Sequence, residues 1–447
     1  MIELSSTRIA TSMIRSALPI GAFYLTEILI GLTDLAVVGR LGTAPLAAVG
    51  LAKTVLLSVM MIGFALLSVG LVLMAERDDP AHRGRIVAGS LPLILPFGVV
   101  ALLVGAGGGD LLTGAGYDPA VVAAFDAYAP ILAWAGPPTL VFAVMKNVLT
   151  ATDRTGPILW LSVGMVLANF GASVVLVHGI GGWEGLGVAG AAWATLAVNV
   201  GAACALTLVV VRADLIRLAG LRPRPVLRAA RDVLSLGWAA GAQQVLESGL
   251  FTVVLFLVGL WSALWLAAVT VVFAVMELTF AVAVPLGEVL SARLAAARAA
   301  GKGGLLGLYR TGAGLVVAGA SVLGAVVWVF AEQVATLFAG PSATPEARDL
   351  IATLLRWTAP VFLFDAIQLL SLHALRGLRR VVGPMILSSA CYWLIGLGGG
   401  LALAYPGGLG AAGIYAGLCT GLAAAAVLLG TMAWRGALRP VAVSKSD

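Results

Sequence analysis

Five carboxylates lie inside segments of the chain that are otherwise almost entirely apolar: Glu27, Asp34, Glu247, Glu277 and Asp365. A charge at the centre of a membrane-spanning helix costs roughly 2.5–3.5 kcal/mol even on a lenient insertion scale, so such residues usually face a bundle interior or a wet cavity. There a carboxylate can bind a proton, an inorganic cation or a positively charged solute. These acids are therefore the first candidates for chemistry.

Two of the acids belong to the first apolar segment, where Glu27 and Asp34 are seven residues apart and so lie on one helical face. Asp34 and Lys53 are equally far from the turn near residues 43–44, and an antiparallel hairpin places them at similar depth. An ion pair would lower the cost of burying both charges. The pair is either purely structural, or a switch in which protonation of Asp34 releases Lys53. Asn169 is a further candidate for the interior of this bundle.

The other three acids predict a second cluster with neighbouring amides. The set comprises Gln243, Gln244, Glu247, Glu277, Asp365 and Gln368. The first two amides lie one turn before Glu247, and Gln368 lies one turn after Asp365. Glu247 and Glu277 are about equally far from the turn between the seventh and eighth segments, so an antiparallel hairpin places them at similar depth. Carboxylates around one cavity cannot all stay ionised without a cation, so we expect a bound proton, or Na⁺ at Glu247 and Asp365. The alternative is that these are hydrogen-bonded packing groups.

The elements that position these residues are membrane spans. The chain has 447 residues, of which 61% are hydrophobic and 11% charged, and its mean hydropathy is +1.05. This composition predicts an all-α polytopic membrane protein. Twelve apolar segments are long enough to cross a bilayer, near 15–40, 46–74, 88–108, 121–145, 156–179, 187–211, 233–259, 263–290, 307–331, 349–374, 383–405 and 409–434. No nucleotide-binding loop, nucleophile triad or zinc signature is present, so we expect neither an enzyme nor a cofactor.

Basic residues orient the spans. Alternate loops, together with both tails, hold all of the 27 Lys and Arg residues except Arg40, Lys53, Arg348 and Arg356. By the positive-inside rule these loops and both termini are cytoplasmic. The prediction is a multi-pass protein of the inner (plasma) membrane.

The chain also repeats itself. A shift of 220 residues superposes LAAV at 46–49 on LAAV at 266–269, and Glu27 on Glu247. We therefore predict two pseudo-symmetric six-helix bundles, residues 1–211 and 233–447, joined by a cytoplasmic linker at 212–232. An even number of spans per copy gives both copies the same orientation, as in transporters with parallel repeats.

Several stretches together resemble the multidrug and toxic compound extrusion (MATE) family. They are TDLAVVGRLG at 33–42, LAAV at 46–49, LGVAGAAWAT at 186–195, DAIQ at 365–368, ALRG at 374–377, GPM at 383–385 and YWLIGL at 392–397. The resemblance implies efflux of organic cations in exchange for Na⁺ or H⁺. The acidic C-terminal bundle resembles the NorM-like branch, whose coupling carboxylates match Asp34, Glu247 and Asp365. Glu27 departs from the family, in which an amide is commoner there, and Lys53 is unexpected in the second span.

The sequence thus predicts a cation-coupled antiporter that exports lipophilic or organic cations by alternating access and functions as a monomer in the lipid bilayer, without nucleic acid. Ion or proton coupling is assigned to Glu247, Asp365, Glu277 and Asp34. The candidate substrate-cavity residues are Glu27, Gln243, Gln244, Gln368 and Asn169. The alternative is a flippase or exporter of a lipid-linked or other amphipathic metabolite, which would more naturally have a basic cavity.

Overall fold

The computed structural model describes residues 6–301, 303–339 and 344–438, which are mainly helical and contain no strand beyond a single β-bridge. Eleven of these helices are long and apolar enough to cross a membrane, and one bent pair makes twelve if it counts as a single span. We number them as spans 1–12: Thr7–Leu41, Ala44–Ala75, Pro80–Gly114, Pro119–Ala151, Gly156–His178, Val188–Arg212, Pro223–Trp261, Leu264–Ala299, Leu305–Val329, the pair Pro345–Thr358 and Val361–Gly377 bent by 48°, Val382–Ala404, and Gly410–Leu438.

Several spans contain breaks. The α-helices within the broken spans are Ser6–Val38, Thr43–Leu67, Val69–Ala75, Pro80–Ser90, Leu95–Gly114, Pro119–Ala133, Gly136–Ala151, Ala263–Met276, Leu278–Ala299, Val382–Ala390 and Gly399–Ala404, and a short helix, Ala331–Ala339, precedes span 10. Span 11 includes a π-helix, Cys391–Gly398. π-helical turns are rare and are frequently found at functional sites.

Local sequence signals set where several spans begin. Spans 3, 4 and 10 each start with a proline, where the missing N–H removes no helical hydrogen bond. The residue before each proline caps the helix: the side chains of Asp79, Asp118 and Thr344 accept hydrogen bonds from main-chain N–H groups of the first turn. These caps stabilise the helix ends that separate successive spans.

The predicted all-α polytopic membrane fold is confirmed. The described chain divides into an N-terminal unit, Leu18–Gly241, and a C-terminal unit, Met1–Ala17 with Ala242–Asp447. Residues 212–232, which we expected to form a linker, become helical at Pro223, where span 7 begins. Lys302, Arg439 and Lys445, which contribute to the predicted charge bias, lie outside the described residues.

One span made of two helices is central to the packing of each unit. In the N-terminal unit span 4 packs against spans 2, 3 and 6. In the C-terminal unit span 10 packs against spans 8, 9 and 12, and span 12 packs along span 11. The last contact is backbone to backbone, because a Cβ on Gly417 would collide with the main chain of Gly396 and Gly400. Small residues allow this close approach between membrane helices.

Candidate functional site

The first cluster of the structure is centred on Asp34, near the end of span 1. Its carboxylate is fully buried, and the Lys53 ammonium of span 2 lies 2.7 Å from its Oδ2. Lys53 retains 17% exposure. The two residues that the hairpin arithmetic placed at one depth are therefore in direct contact. Pairing reduces the cost of burying each charge.

Three hydroxyl groups complete the surroundings of Asp34. Thr195 Oγ1 and Tyr128 OH donate to Oδ2 over 2.8 Å and 3.4 Å, and Ser173 Oγ donates to Oδ1 over 3.2 Å. They come from spans 6, 4 and 5, so the carboxylate joins five of the six spans of its repeat. Four donors on one carboxylate match its acceptor capacity.

A second layer of amides fixes the orientation of Thr195. Asn169 is fully buried, and its Nδ2 donates to Thr195 Oγ1 over 3.1 Å. Since that hydroxyl accepts from Asn169, its single proton is available to Asp34. Asn199 Nδ2 donates to the main-chain oxygen of Thr195, and Asn199 Oδ1 accepts a hydrogen bond from Thr139 Oγ1. Asn169, predicted from the sequence as a substrate-cavity residue, is thus part of the Asp34 network.

Glu27 lies in the same unit but outside this hydrogen-bonded network. It is half-buried, and its Oε1 is buried without a hydrogen-bond partner. The positive charge of Lys53 acts on it. Seven residues of helix correspond to about 10 Å along the axis, so Glu27 is too far along span 1 to share the Asp34 contacts.

The second cluster forms in the C-terminal unit, where span 7 contributes Glu247 and span 10 contributes Asp365. Both side chains are buried, with 8% and 5% exposure, and they lie close enough for their charges to interact. Gln368 faces Glu247 and Thr279 faces Asp365. The Thr279 hydroxyl and both side-chain amide atoms of Gln368 are buried, and none of them forms a hydrogen bond of standard length.

The π-helix of span 11 contributes to this cluster. Trp393 Nε1 donates to the main-chain oxygen of Leu246 over 3.2 Å, which holds the π-helix against span 7. The adjacent Tyr392 is buried, with its hydroxyl unpartnered and within the electrostatic influence of Glu247 and Asp365. A π-turn changes the angular spacing of side chains along a helix. Here Trp393 contacts span 7, while the adjacent Tyr392 lies beside Glu247 and Asp365.

The remaining predicted residues lie elsewhere in the C-terminal unit. Glu277 is exposed at the break between Met276 and Leu278, and Thr279 occupies the position facing Asp365 that we expected Glu277 to share. Two residues on a helix are about 200° apart, so they face opposite ways. Gln243 is buried, whereas Gln244 is half-buried and donates to Ser248 Oγ. The structure therefore brings together Glu247, Asp365 and Gln368 but not Glu277.

Lys146 also differs from expectation, because we counted it with a cytoplasmic loop. It lies inside span 4 with 3% exposure. Its ammonium is 5.5 Å from the ring centre of Phe23 and 5.1 Å from that of Tyr24, distances at which a cation is attracted to an aromatic face. The residue is thus a buried cation of the N-terminal unit.

The sequence reasoning missed Tyr128, Thr195 and Thr279. Thr195 is four residues before Asn199 on one helical face, a polar pair that the sequence does show. Tyr128 and Thr279 carry no such signal. Hydroxyl residues are common in membrane helices, where they often bond to their own main chain.

The two clusters differ in what they can bind. No group of three or more His, Cys, Asp or Glu side chains suited to a metal ion occurs within the described ranges. Asp34 already has a cationic partner in direct contact, whereas Glu247 and Asp365 lie near each other beside neutral oxygen atoms of Gln368 and Thr279, with the positive charge of Arg376 acting on Glu247. Two carboxylates with neutral oxygens suit a proton or a hard cation such as Na⁺.

Comparison with known proteins supports the repeat and the fold. A sequence profile of the MatE family matches residues 19–175 and again residues 239–401. The two matches begin at the same displacement that aligns Glu27 with Glu247.

Relatives align along nearly the whole chain. A probable multidrug resistance protein NorM of Rhizobium meliloti (strain 1021) is 31% identical over 423 residues, which is 92% of this chain and 89% of that protein. A probable NorM of Pseudomonas aeruginosa (strain PAO1) is 30% identical over 93% of this chain and 87% of its own length.

Solved structures show the same fold at lower identity. A MATE in the straight conformation superposes with a TM-score of 0.84 at 18% identity, covering 96% of both chains. The eukaryotic MATE transporter AtDTX14 superposes with a TM-score of 0.83 at 18% identity, covering 98% of both chains.

Proposed function

Because the chain belongs to the MatE family of multidrug efflux transporters, we propose that it is an antiporter that exports lipophilic or organic cations in exchange for H⁺ or Na⁺. It works by alternating access in the inner membrane, as a monomer with both termini in the cytoplasm. The coupling site is the pair Glu247 and Asp365. Glu27, Gln243, Gln244 and Gln368 are assigned to the passage of the organic cation.

The observation that supports this proposal is the buried pair itself. Glu247 and Asp365 lie within membrane spans, close enough for their charges to interact, and the polar groups of Gln368, Thr279 and Tyr392 beside them are buried without partners. Two like charges in a poorly solvated site repel, so the pair needs a proton or a cation between them. The charge of Arg376 acts on Glu247, but Asp34 has a lysine in direct contact and so is the less suited of the two sites to an exchanged ion.

Coupling then follows from competition for negative charge. With the pair ionised, the C-terminal unit favours an organic cation. When a proton or Na⁺ binds, that attraction is lost and the drug is released to the outside. The driving force available is the difference in ion affinity between the inward-open and outward-open states, because a ligand with equal affinity for both shifts nothing.

Everted membrane vesicles that contain the full-length protein test the proposal. Uptake of a fluorescent lipophilic cation into the vesicle lumen, which corresponds to export from the cell, is followed after imposing either a pH gradient or a Na⁺ gradient. We expect exchange with at least one gradient, and measurement with and without Na⁺ at fixed pH identifies the ion. Vesicles that show no exchange under either gradient would contradict the proposed function.

Variants assign the coupling site. Asp365→Asn should abolish exchange at unchanged expression, because a neutral side chain cannot release a proton or attract Na⁺. Glu332→Gln is the matched control, since Glu332 is an exposed acid of the same unit that pairs with Arg356. Glu277→Gln should have a smaller effect than Asp365→Asn, because Glu277 is exposed. Unchanged exchange in Asp365→Asn would remove Asp365 from the mechanism.

A further inference from the structure

Lys53 occupies the Asp34 site in the way a bound cation would. Its ammonium group has three N–H bonds. Three acceptors surround it: Asp34 Oδ2 at 2.7 Å and the main-chain oxygens of Ile30 and Gly31, each at 3.4 Å. One carboxylate and two carbonyl oxygens form an oxygen-rich set that suits a small hard cation.

The carboxylate side of the site is equally complete. Asp34 Oδ2 pairs with the Lys53 ammonium and accepts hydrogen bonds from Thr195 and Tyr128, and Oδ1 accepts one from Ser173. Asp34 is fully buried. An external metal ion or organic cation could therefore reach Asp34 only by displacing a side chain that is covalently attached and always present.

The second copy of the repeat lacks both charges. The shift that aligns Glu27 with Glu247 places Val254 at the position of Asp34 and Phe273 at that of Lys53. The acid and the lysine are thus present together in one copy and absent together from the other. In the C-terminal unit the buried carboxylates instead lie beside polar groups without partners.

We infer that Lys53 is a built-in cation, which holds the Asp34 site in place of an exchangeable ion. The N-terminal unit consequently takes up no Na⁺ or other metal cation from solution, and exchange of such ions belongs to the C-terminal cluster alone. The site recognises a primary ammonium group or an ion such as Na⁺, and becomes available to either only when the lysine is shortened. Glu27, on which the positive charge of Lys53 also acts, is the second acid near this cation.

Chemical rescue of a shortened side chain tests the inference without measuring transport. Lys53→Ala removes a fragment equivalent to n-propylammonium, so the free cation should refill the site. We expect n-propylammonium chloride, at about ten times its Kd, to raise the melting temperature of purified Lys53→Ala by about 2 °C more than tetramethylammonium chloride does. Tetramethylammonium has no N–H donor.

Three comparison proteins make the result specific. The wild type and Thr54→Ala should show no difference between the two salts, because Lys53 fills the site in both, and Thr54 is an exposed neighbour that bonds only to Gly50 O. Lys53→Ala/Asp34→Asn should also show none, because the site has lost its charge. Equal effects of the two salts on Lys53→Ala, or a preference for propylammonium in the wild type, would overturn the inference.

A second variant covers the possibility that Lys53→Ala does not fold. Lys53→Met keeps most of the side-chain volume but removes the terminal ammonium group, and so vacates the position of Nζ beside Asp34. Equilibrium dialysis with radioactive Na⁺ at pH 8.5 should find one more bound Na⁺ per chain in Lys53→Met than in the wild type. The extra ion should disappear in Lys53→Met/Asp34→Asn, and an unchanged number of bound ions in Lys53→Met would contradict the inference.

Discussion

The ion pair between Asp34 and Lys53 should contribute strongly to stability. Removing one partner of a buried pair typically costs 3–5 kcal/mol, because the other charge stays buried alone. Lys53 retains 17% exposure and part of its solvation, so we expect about 3 kcal/mol for Asp34→Asn. Lys53→Met should cost about 2 kcal/mol, since three hydroxyl groups still donate to Asp34.

The double variant isolates the interaction. Asp34→Asn/Lys53→Met leaves no charge to bury and loses only part of the hydroxyl bonding, so it should be destabilised by about 2 kcal/mol. The sum of the two single variants is about 5 kcal/mol, which makes the coupling energy about 3 kcal/mol. Unfolding of the purified protein in mixed micelles with increasing SDS measures all four free energies.

An exposed ion pair with the same N···O distance is the matched control. Arg356 and Glu332 also approach to 2.7 Å, but their side chains are 38% and 72% exposed. Exposed pairs couple by only 0.2–1 kcal/mol, so the cycle with Arg356→Met and Glu332→Gln should give well under half the value for Asp34 and Lys53. Equal coupling in the two cycles would refute the argument that burial makes the first pair strong.

Three further predictions concern single positions. Gly417→Ala should lower stability by about 1–3 kcal/mol through overpacking, whereas Gly399→Ala, whose Cβ would meet nothing within 4 Å, should be neutral or slightly stabilising; melting curves compare them. Asp79→Ala should cost about 1 kcal/mol at pH 7 through loss of the helix cap. Because the main-chain N–H of Ala81 lowers the pKa of Asp79 below 3.8, this contribution is present above that pH and is lost as the pH falls through the lower value, which melting at several pH values checks. Tyr392→Phe should raise the ion concentration needed for half-maximal exchange about tenfold, since one polar contact to a charged group is worth 1.5–3 kcal/mol; an unchanged ion dependence would place its hydroxyl outside the coupling site.

The sequence was sufficient for the features that depend on local chemistry. A span needs about 20 apolar residues, and composition alone reveals such runs. The contact between Asp34 and Lys53 was also predictable, because a hairpin relates two positions through their distance from one turn. The alignment of Glu27 with Glu247 likewise follows from the displacement between the two copies, which the repeated residues define by themselves.

Counting residues from a turn gives the depth of a side chain in a helical hairpin but not the direction in which it points. The sequence was therefore insufficient to predict which side chains face the cluster. Glu277 has the predicted position along span 8, yet a break in the helix leaves it exposed while Thr279 faces Asp365. Lys146 likewise lies within a span and against two aromatic rings, not in a loop. A shift of one or two residues along a helix moves a side chain to a different face. When every face of the helix is apolar, the hydrophobic pattern does not indicate which face points inward.

What the sequence determined by itself is which segments are apolar enough to cross a membrane and which of them contain acids, because burying a charge in hydrocarbon is costly enough to make most exceptions visible. Only the tertiary structure decided which of those charges have partners. The donors to Asp34 come from positions 94, 139 and 161 residues away, and neutral hydroxyl groups leave no distinctive mark on a sequence. The packing of the spans therefore gives Asp34 its own cation and places Glu247 and Asp365 near each other beside Gln368 and Thr279.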